Sequence, residues 1–238
     1  MVGGVSVSQS SSGHHDGLVG MIRRRIGARS RGRKENAREN FDQEMHQLLG
    51  SMLAALGKNK SIIVAITGCM SKEGSSTISY GLASVASKAG FNVLVVDGRV
   101  NGEDLRDGPP AFLVGPDNVH QVSNEIIVDL GPKLVHRTGF RNLVPAVATA
   151  EQVSATAESL RGDYSLVIFD CPPICEGSDA GVFAAAADGA VLVVETGHTR
   201  VPVVKQGCRA LEAAGANVLG IVLNKRDYHI PDFVYRCL

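Results

Sequence analysis

Nearly continuous apolar runs, rich in β-branched residues, constrain the fold of this chain more than any other feature. The five runs are SIIVAIT (61–67), NVLVVD (92–97), SLVIFD (165–170), AVLVVE (190–195) and NVLGIVLN (217–224). Strands that are buried on both faces have this composition. Helical patterns lie between several of the runs, at 76–89, 178–187 and 202–214. This alternation predicts right-handed crossovers and an α/β fold, in which helices cover both faces of a mostly parallel sheet.

The remaining chain divides into less regular segments. Residues 39–57 place apolar side chains at helical spacing and predict an amphipathic helix that docks on another surface. Residues 1–38 are rich in Gly, Ser and Arg, which predicts a disordered basic tail. Within the main domain at 58–238, residues 107–117 resemble a loop and 119–130 predict a short helix.

Charge and hydropathy limit the partners and the compartment. The formal net charge is zero, although residues 23–38 are strongly basic. That segment could bind anionic lipid headgroups, an acidic protein surface or nucleic acid, or could simply be solvated. No apolar run reaches the ~18–20 residues of a membrane span, and the N-terminus lacks the pattern of a signal peptide. We therefore expect a soluble, cytoplasmic protein.

The segment GCMSKEGSST (68–77) joins the first run to a helical pattern, as an anion-binding loop does. Gly74 allows a close turn, and Ser76 stands where a phosphate-binding loop (P-loop) carries its Mg²⁺-ligating hydroxyl, with Thr77 beside it. The strict pattern is not met, because Cys69 replaces its first glycine and Ser75 replaces its lysine. On this segment alone, a plain strand–loop–helix connection explains the residues equally well.

Polar residues close three of the later apolar runs. Asp97 and Asp170 each follow a strand pattern, the arrangement in which a carboxylate holds Mg²⁺ directly or through water. Each aspartate could instead be a turn or cap residue. Asn224 closes the last run and could contact a nucleotide base. The stretch NKRD (224–227) also fits the N-K-x-D guanine signature, but a match of four residues can arise by chance.

Over 61–227 the chain resembles the cytoplasmic P-loop domain of bacterial tyrosine kinases and the related ATP-binding proteins of exopolysaccharide and capsule export. SKEGSST, VLVVDGRV, YSLVIFDCPP, ADGAVLVVETGHT and NVLGIVLNK correspond to the motifs of that family. DCPP, followed by SDA at 178–180, is the most specific of these matches. YHIPDFVYR near the C-terminus resembles members of holdfast-type export systems. The partition and division-site ATPases share this P-loop fold of the deviant Walker type.

The resemblance implies ATP or ADP with Mg²⁺ as cofactor, and it implies roles for individual residues. Asp97 and Asp170 would be catalytic, and Ser76, Asp97 and Asp170 would bind the metal. The nucleotide-binding residues would be Gly74, Ser75, Ser76, Thr77, Lys72, Arg99 and Asn224.

Several positions depart from the family pattern. Ser75 replaces the lysine, and Arg99 replaces the second aspartate of the DAD signature. Only Tyr228 and Tyr235 remain of a C-terminal tyrosine cluster. Glu39 is followed by Asp42 and Met45 rather than by the two arginines of E-x-x-R-x-x-R, the motif used in ring assembly.

These departures favour a catalytically impaired subunit of a capsule or holdfast-type export system. It would regulate or adapt an inner-membrane chain-length (co-polymerase) protein and associate with the membrane through that partner. We expect no nucleic-acid partner, and a homo-oligomer is one possible state. The alternatives are an active ATPase or tyrosine autokinase, in which Lys72 or Arg99 supplies the missing cation, and a positioning ATPase. A GTPase is disfavoured because its switch regions and loop glycines are missing.

Overall fold

The computed structural model describes residues 4–9, 31–57, 61–98, 119–122, 125–129, 134–139 and 149–226. The strands in this part of the chain are β1 (Gly4–Gln9), β2 (Ile62–Gly68), β3 (Val93–Asp97), β4 (Val119–Val122), β5 (Glu125–Asp129), β6 (Leu134–Gly139), β7 (Leu166–Asp170), β8 (Gly189–Glu195) and β9 (Val218–Arg226). The helices are α1 (Arg31–Leu56), α2 (Ser75–Lys88), α3 (Ala150–Leu160), α4 (Asp179–Ala186) and α5 (Val201–Ala213).

The described strands form one sheet in the order β1-β9-β8-β2-β7-β3-β6-β5-β4. The strands from β9 to β6 in that order run parallel. β1 pairs antiparallel at one edge, and β5 and β4 do so at the other. All five strands predicted from apolar runs are present, so the predicted mostly parallel α/β sheet is confirmed.

Side-chain alternation along the strands divides the core into two layers. Ile62, Val64 and Ile66 of β2 pack on the face covered by α1 and α2. Ile63 and Ala65 pack on the opposite face, in the cluster that contains buried residues of α3, α4 and α5. Both faces are therefore dry, which is why the strand sequences are apolar at every position rather than at every second one.

Helix α1 covers the segment predicted to be an amphipathic helix, and it docks on the domain itself. Phe41 and Met45 are buried in the first core layer against α2. The contact is close at Gly81 of α2, where an added Cβ would lie 2.5 Å from Cε1 of Phe41. The helix begins at Arg31, eight residues before the predicted start at 39. Because its apolar face is covered, that face is not free to bind a separate partner.

The helix predicted at 119–130 is wrong. This segment contains strands β4 and β5, which form an antiparallel pair, and β5 pairs in turn with β6. Val119, Val122, Ile126 and Ile127 have helix-like spacing, but β-branched side chains fit a pleated sheet and pairing with β6 decides the outcome.

Other elements also differ from the sequence-based expectations. β1 lies within the segment predicted to be disordered, because pairing with the edge of β9 uses backbone hydrogen bonds, which any sequence can supply. β6 and α3 were not predicted. Residues 10–30 and the predicted loop at 107–117 lie outside the described residues. Among the described helices, none is both long and apolar enough to cross a bilayer.

Candidate functional site

The connection from β2 to α2, residues 69–74, has the backbone shape of an anion-binding loop. Lys72 and Gly74 both adopt left-handed conformations, with φ of 69° and 94°. α2 then starts at Ser75, and the first helical hydrogen bond runs from the Ile78 N–H to the Gly74 carbonyl. The preceding N–H groups of a helix have no carbonyl partner within it and carry partial positive charge. This helix start can therefore bind an anion such as phosphate.

The predicted site residues at the helix start lie in its first turn. Ser75, Ser76 and Thr77 are partly exposed there, and the exposed Lys72 precedes them in the loop. Ser75, the position at which the resemblance implies a lysine, is the first residue of α2 and has a short, neutral side chain.

Asp97 and Asp170 are direct neighbours across β3 and β7. Their exposed fractions are 5% and 3%, and the Gly98 N–H donates to the Asp170 carbonyl at 2.9 Å. The Ser79 hydroxyl of α2 lies 3.3 Å from Oδ1 of Asp170 and 3.1 Å from the Ser75 carbonyl. The two carboxylates and the start of α2 therefore meet at the carboxyl edge of the sheet, where open parallel sheets bind ligands.

The donor set at this edge suits Mg²⁺ in the presence of phosphate. Mg²⁺ is typically held by one or two carboxylates together with water and substrate phosphates, rather than by an all-protein cage. Asp97 and Asp170 supply two carboxylates, and Ser76 supplies a hydroxyl at the helix start. Within the described ranges no three His, Cys, Asp or Glu side chains form a metal-binding group. The two carboxylates and the hydroxyl fit a Mg²⁺ ion whose remaining ligands would be water and phosphate oxygens.

Two glutamate side chains accept hydrogen bonds from the β2–α2 loop, one from within the loop and one from the loop after β7. The Glu73 carboxylate is buried, accepts the Met70 N–H at 3.0 Å and accepts the Thr199 hydroxyl. Glu176, in the loop after β7, accepts the Ser71 N–H at 2.7 Å and its hydroxyl at 2.5 Å. These hydrogen bonds from Ser71 lower the pKa of Glu176. The loop is held in shape by residues distant in sequence.

Asn224, predicted to read a base, lies against the loop. Its Nδ2 donates to the Glu73 carbonyl at 2.8 Å, and its Oδ1 accepts the Lys225 N–H at 2.8 Å. The Lys225 ammonium donates to the Lys72 carbonyl and pairs with Oε2 of Glu195 at 2.9 Å. The end of β9 therefore supports the loop directly.

Cys69, in the loop, and Cys171, directly after β7, are buried thiols. Burial, together with nearby Glu73, raises the pKa of Cys69 to about 12, and burial raises that of Cys171 well above its usual value. The Cys69 sulfur packs beside Gly207, 3.0 Å from where a Cβ would stand. Both thiols are neutral at physiological pH and pack as small apolar groups.

Sequence reasoning missed several residues that shape this site. No motif in the sequence points to Ser79, Glu73 or Thr199, and Lys225 is marked only as part of NKRD. Thr199 and Glu73 are separated by 126 positions, so no local signal could have joined them. Arg99, predicted to bind nucleotide, lies outside the described residues.

Known proteins resemble this chain in sequence and in structure. No protein-family model matches the chain. It is 31% identical over 190 residues to the tyrosine-protein kinase CpsD of Streptococcus agalactiae, covering 74% of this chain and 80% of the relative.

Solved structures show the same fold. The kinase domain of the Escherichia coli tyrosine kinase ETK superposes with a TM-score of 0.61 at 23% identity, covering 80% of this chain and 79% of that one. The chimerical protein CapA2B2 superposes with a TM-score of 0.59 at 23% identity, covering 78% and 85%. Together with the sequence match to CpsD, these observations show that the chain belongs to the family of bacterial tyrosine-protein kinases of capsule and exopolysaccharide systems.

Proposed function

We propose that the start of α2 and the carboxylates of Asp97 and Asp170 bind ATP or ADP with Mg²⁺, and that phosphoryl transfer at this site is impaired. The observation that carries the proposal is the position of Ser75. It is the first residue of α2, at the position where the family resemblance implies a lysine, and its carbonyl and Oδ1 of Asp170 both contact the Ser79 hydroxyl. The site retains its anion-binding backbone and its acidic edge but has a neutral residue at the lysine position.

Each part of the site has a role in this proposal. The N–H groups at the helix start bind phosphate oxygens, and Gly74 permits the turn that aims them. Ser76, Asp97 and Asp170 would hold Mg²⁺, which would neutralise phosphate charge when bound. Asp170 is itself positioned by the Ser79 hydroxyl at 3.3 Å.

The missing ammonium group accounts for the impairment. Phosphoryl transfer depends mostly on positioning and on charge stabilisation in the transition state. Losing one preorganised donor typically costs about 2.7–4 kcal/mol, or a factor of ~100 to 1,000 in rate. Lys72 is the described loop cation, but its side chain is exposed and its backbone is left-handed. Nucleotide binding depends less on the lysine than phosphoryl transfer does, because the backbone amides that bind phosphate are still present.

We further propose that the protein acts in the cytoplasm as a regulator or adaptor of an inner-membrane chain-length protein. Family membership supports a role in capsule or exopolysaccharide export. The covered apolar face of α1 leaves the basic segment at 23–38 as the candidate contact element. Co-purification from crosslinked cells tests this: recovery of the membrane chain-length protein supports it, and recovery of chromosomal DNA instead would favour a positioning ATPase.

Titration of ATP with and without Mg²⁺ tests the nucleotide site. We expect saturable binding that Mg²⁺ strengthens, and we expect Asp170→Asn to abolish the effect of Mg²⁺. Asp163→Asn is the matched control, because Asp163 is an exposed aspartate whose backbone carbonyl, not its carboxylate, accepts the Asn92 amide. A wild-type protein that binds no ATP under either condition would refute the proposal.

A further inference from the structure

The end of β9 is irregular where it passes the β2–α2 loop. Gly4 of β1 pairs with Arg226, whereas Ser6 pairs with Leu223, so β9 contains one residue more than β1 over this span. Lys225, within the span, has a left-handed backbone with φ of 52°. An extra residue with a left-handed backbone is the geometry of a β-bulge, which redirects side chains.

The bulge brings two consecutive side chains to the same target. In a regular strand the side chains of Asn224 and Lys225 would point to opposite faces. Here Asn224 Nδ2 donates to the Glu73 carbonyl at 2.8 Å, and the Lys225 ammonium donates to the Lys72 carbonyl. Two adjacent carbonyl groups of the loop are thus held from the same side by adjacent residues of β9.

Holding these carbonyls also fixes the direction of two N–H groups. In a planar trans peptide the N–H points opposite to the C=O, and no cis peptide occurs in the described chain. The N–H groups of Glu73 and Gly74 therefore point away from Asn224 and Lys225. Successive N–H groups in a loop with left-handed residues form an anion-binding concavity.

We propose that Lys225 is a positioning residue for phosphate binding in this loop. Its ammonium orients the peptide between Lys72 and Glu73, and its charge polarises that peptide so that the Glu73 N–H is a stronger donor to an anion. Lys225 thereby supplies, through the backbone, part of the positive field that Ser75 does not. This inference rests on the proposed nucleotide site and adds a residue to it.

An ion pair with Glu195 alone does not explain this arrangement. Lys225 is 42% exposed and Glu195 22% exposed, and pairs of such exposure contribute little to stability. A lysine in a left-handed conformation is unfavourable compared with glycine. The contact of its ammonium group with the Lys72 carbonyl explains why a lysine with a left-handed backbone is found at position 225.

Variants of Lys225 test the inference by ATP titration in the presence of Mg²⁺. Lys225→Met keeps the aliphatic stem and removes the charged donor, so we expect a Kd about 10-fold higher or more, as for loss of a charged hydrogen bond. Lys225→Arg should restore binding to within about 3-fold of wild type, since it restores the charge. Lys88→Met is the control, because Lys88 is 37% exposed and pairs with Asp42 at 2.7 Å on α1. A Lys225→Met protein that binds ATP like wild type would overturn the inference and leave the nucleotide site intact.

Amide hydrogen exchange measured by NMR without nucleotide separates the two proposals. We expect Lys225→Met to change the exchange rates and chemical shifts of the Glu73 and Gly74 amides, and Lys88→Met to leave both unchanged. If wild type binds no ATP, the proposed function fails, and the exchange data alone decide the positioning role. Unchanged Glu73 and Gly74 amides in Lys225→Met would then overturn it.

Discussion

The side-chain amide of Asn224 occupies the space that a Cβ on residue 74 would need. An ideal Cβ built at Gly74 would lie 2.2 Å from Nδ2 of Asn224. Gly74 also has φ of 94°, a conformation that residues with a side chain rarely adopt. Two independent features therefore require glycine at position 74: its left-handed backbone and the close approach of β9 to the loop.

Gly74→Ala should destabilise the protein more than Gly90→Ala. Gly90 has nearly the same φ, 92°, but nothing lies within 4 Å of an added Cβ. Gly90→Ala should cost only the left-handed strain, about 1–2 kcal/mol. Gly74→Ala should add an overpacking cost of about 1–3 kcal/mol. Urea unfolding measures both, and equal losses would show that Asn224 does not pack against Gly74 in solution.

Gly81 of α2, at the contact with α1, and the exposed Gly50 of α1 should respond to alanine substitution in opposite directions. Gly81→Ala would drive a methyl group into the Phe41 ring, 2.5 Å away, and should destabilise the fold by about 1–3 kcal/mol. Gly50→Ala, in α1 with nothing within 4 Å, should stabilise it by about 0.5–1 kcal/mol through helix propensity. Thermal unfolding of the two variants is the measurement, and stabilisation by Gly81→Ala would contradict the docking of α1.

Asp188 should make the free energy of unfolding depend on pH in the acidic range. It accepts the Ile63 N–H at 2.8 Å and two hydrogen bonds from Arg161 at 3.0 and 2.8 Å. Burial acts to raise the pKa of Asp188, but the hydrogen bonds from Arg161 and Ile63 outweigh it and lower the pKa overall. A carboxyl whose folded pKa is lowered stabilises the fold above its unfolded pKa, about 3.9, and this contribution disappears as pH falls through the folded pKa.

Asp188→Asn should therefore cost about 1–3 kcal/mol between pH 5 and 8, from the loss of a charged partner of Arg161. The difference from wild type should begin to shrink below about pH 4, where the carboxyl of the unfolded chain becomes protonated, and should shrink further as pH falls through the lowered folded pKa. Glu158→Gln is the control: Glu158 also pairs with Arg161, but it is 68% exposed, and the change should be within about 0.5 kcal/mol. A pH-independent loss for Asp188→Asn in urea unfolding would contradict this account.

The sequence was sufficient to predict the central sheet and the position of the loop. Strands buried on both faces, such as β2 and β7, must be apolar throughout, and that pattern is visible without a structure. The edge strands are harder to predict, because pairing of β4 with β5 and of β1 with β9 joins backbones and leaves no distinct pattern in the sequence. Helical spacing in 119–130 was therefore misleading.

The supports of the site could not be predicted for a related reason. Asp97 and Asp170 stand at strand ends and are visible as such. The contacts of Glu73 with Thr199 and of Lys225 with Lys72 join residues more than a hundred positions apart, and they depend on the order of the strands in the sheet. Asn224 could be predicted as a site residue from its place at a strand end, but its contact with Glu73, 151 positions away, could not.

The lysine position of the loop gives the most direct test of impaired phosphoryl transfer. A single-turnover measurement with radiolabelled ATP, at concentrations that saturate both proteins, compares wild type with Ser75→Lys. We expect Ser75→Lys to transfer or hydrolyse the γ-phosphate about 100 to 1,000 times faster, because it restores a preorganised charged donor. A wild-type protein that already reacts as fast as Ser75→Lys, with label on its own tyrosines at ordinary rates, would contradict the account.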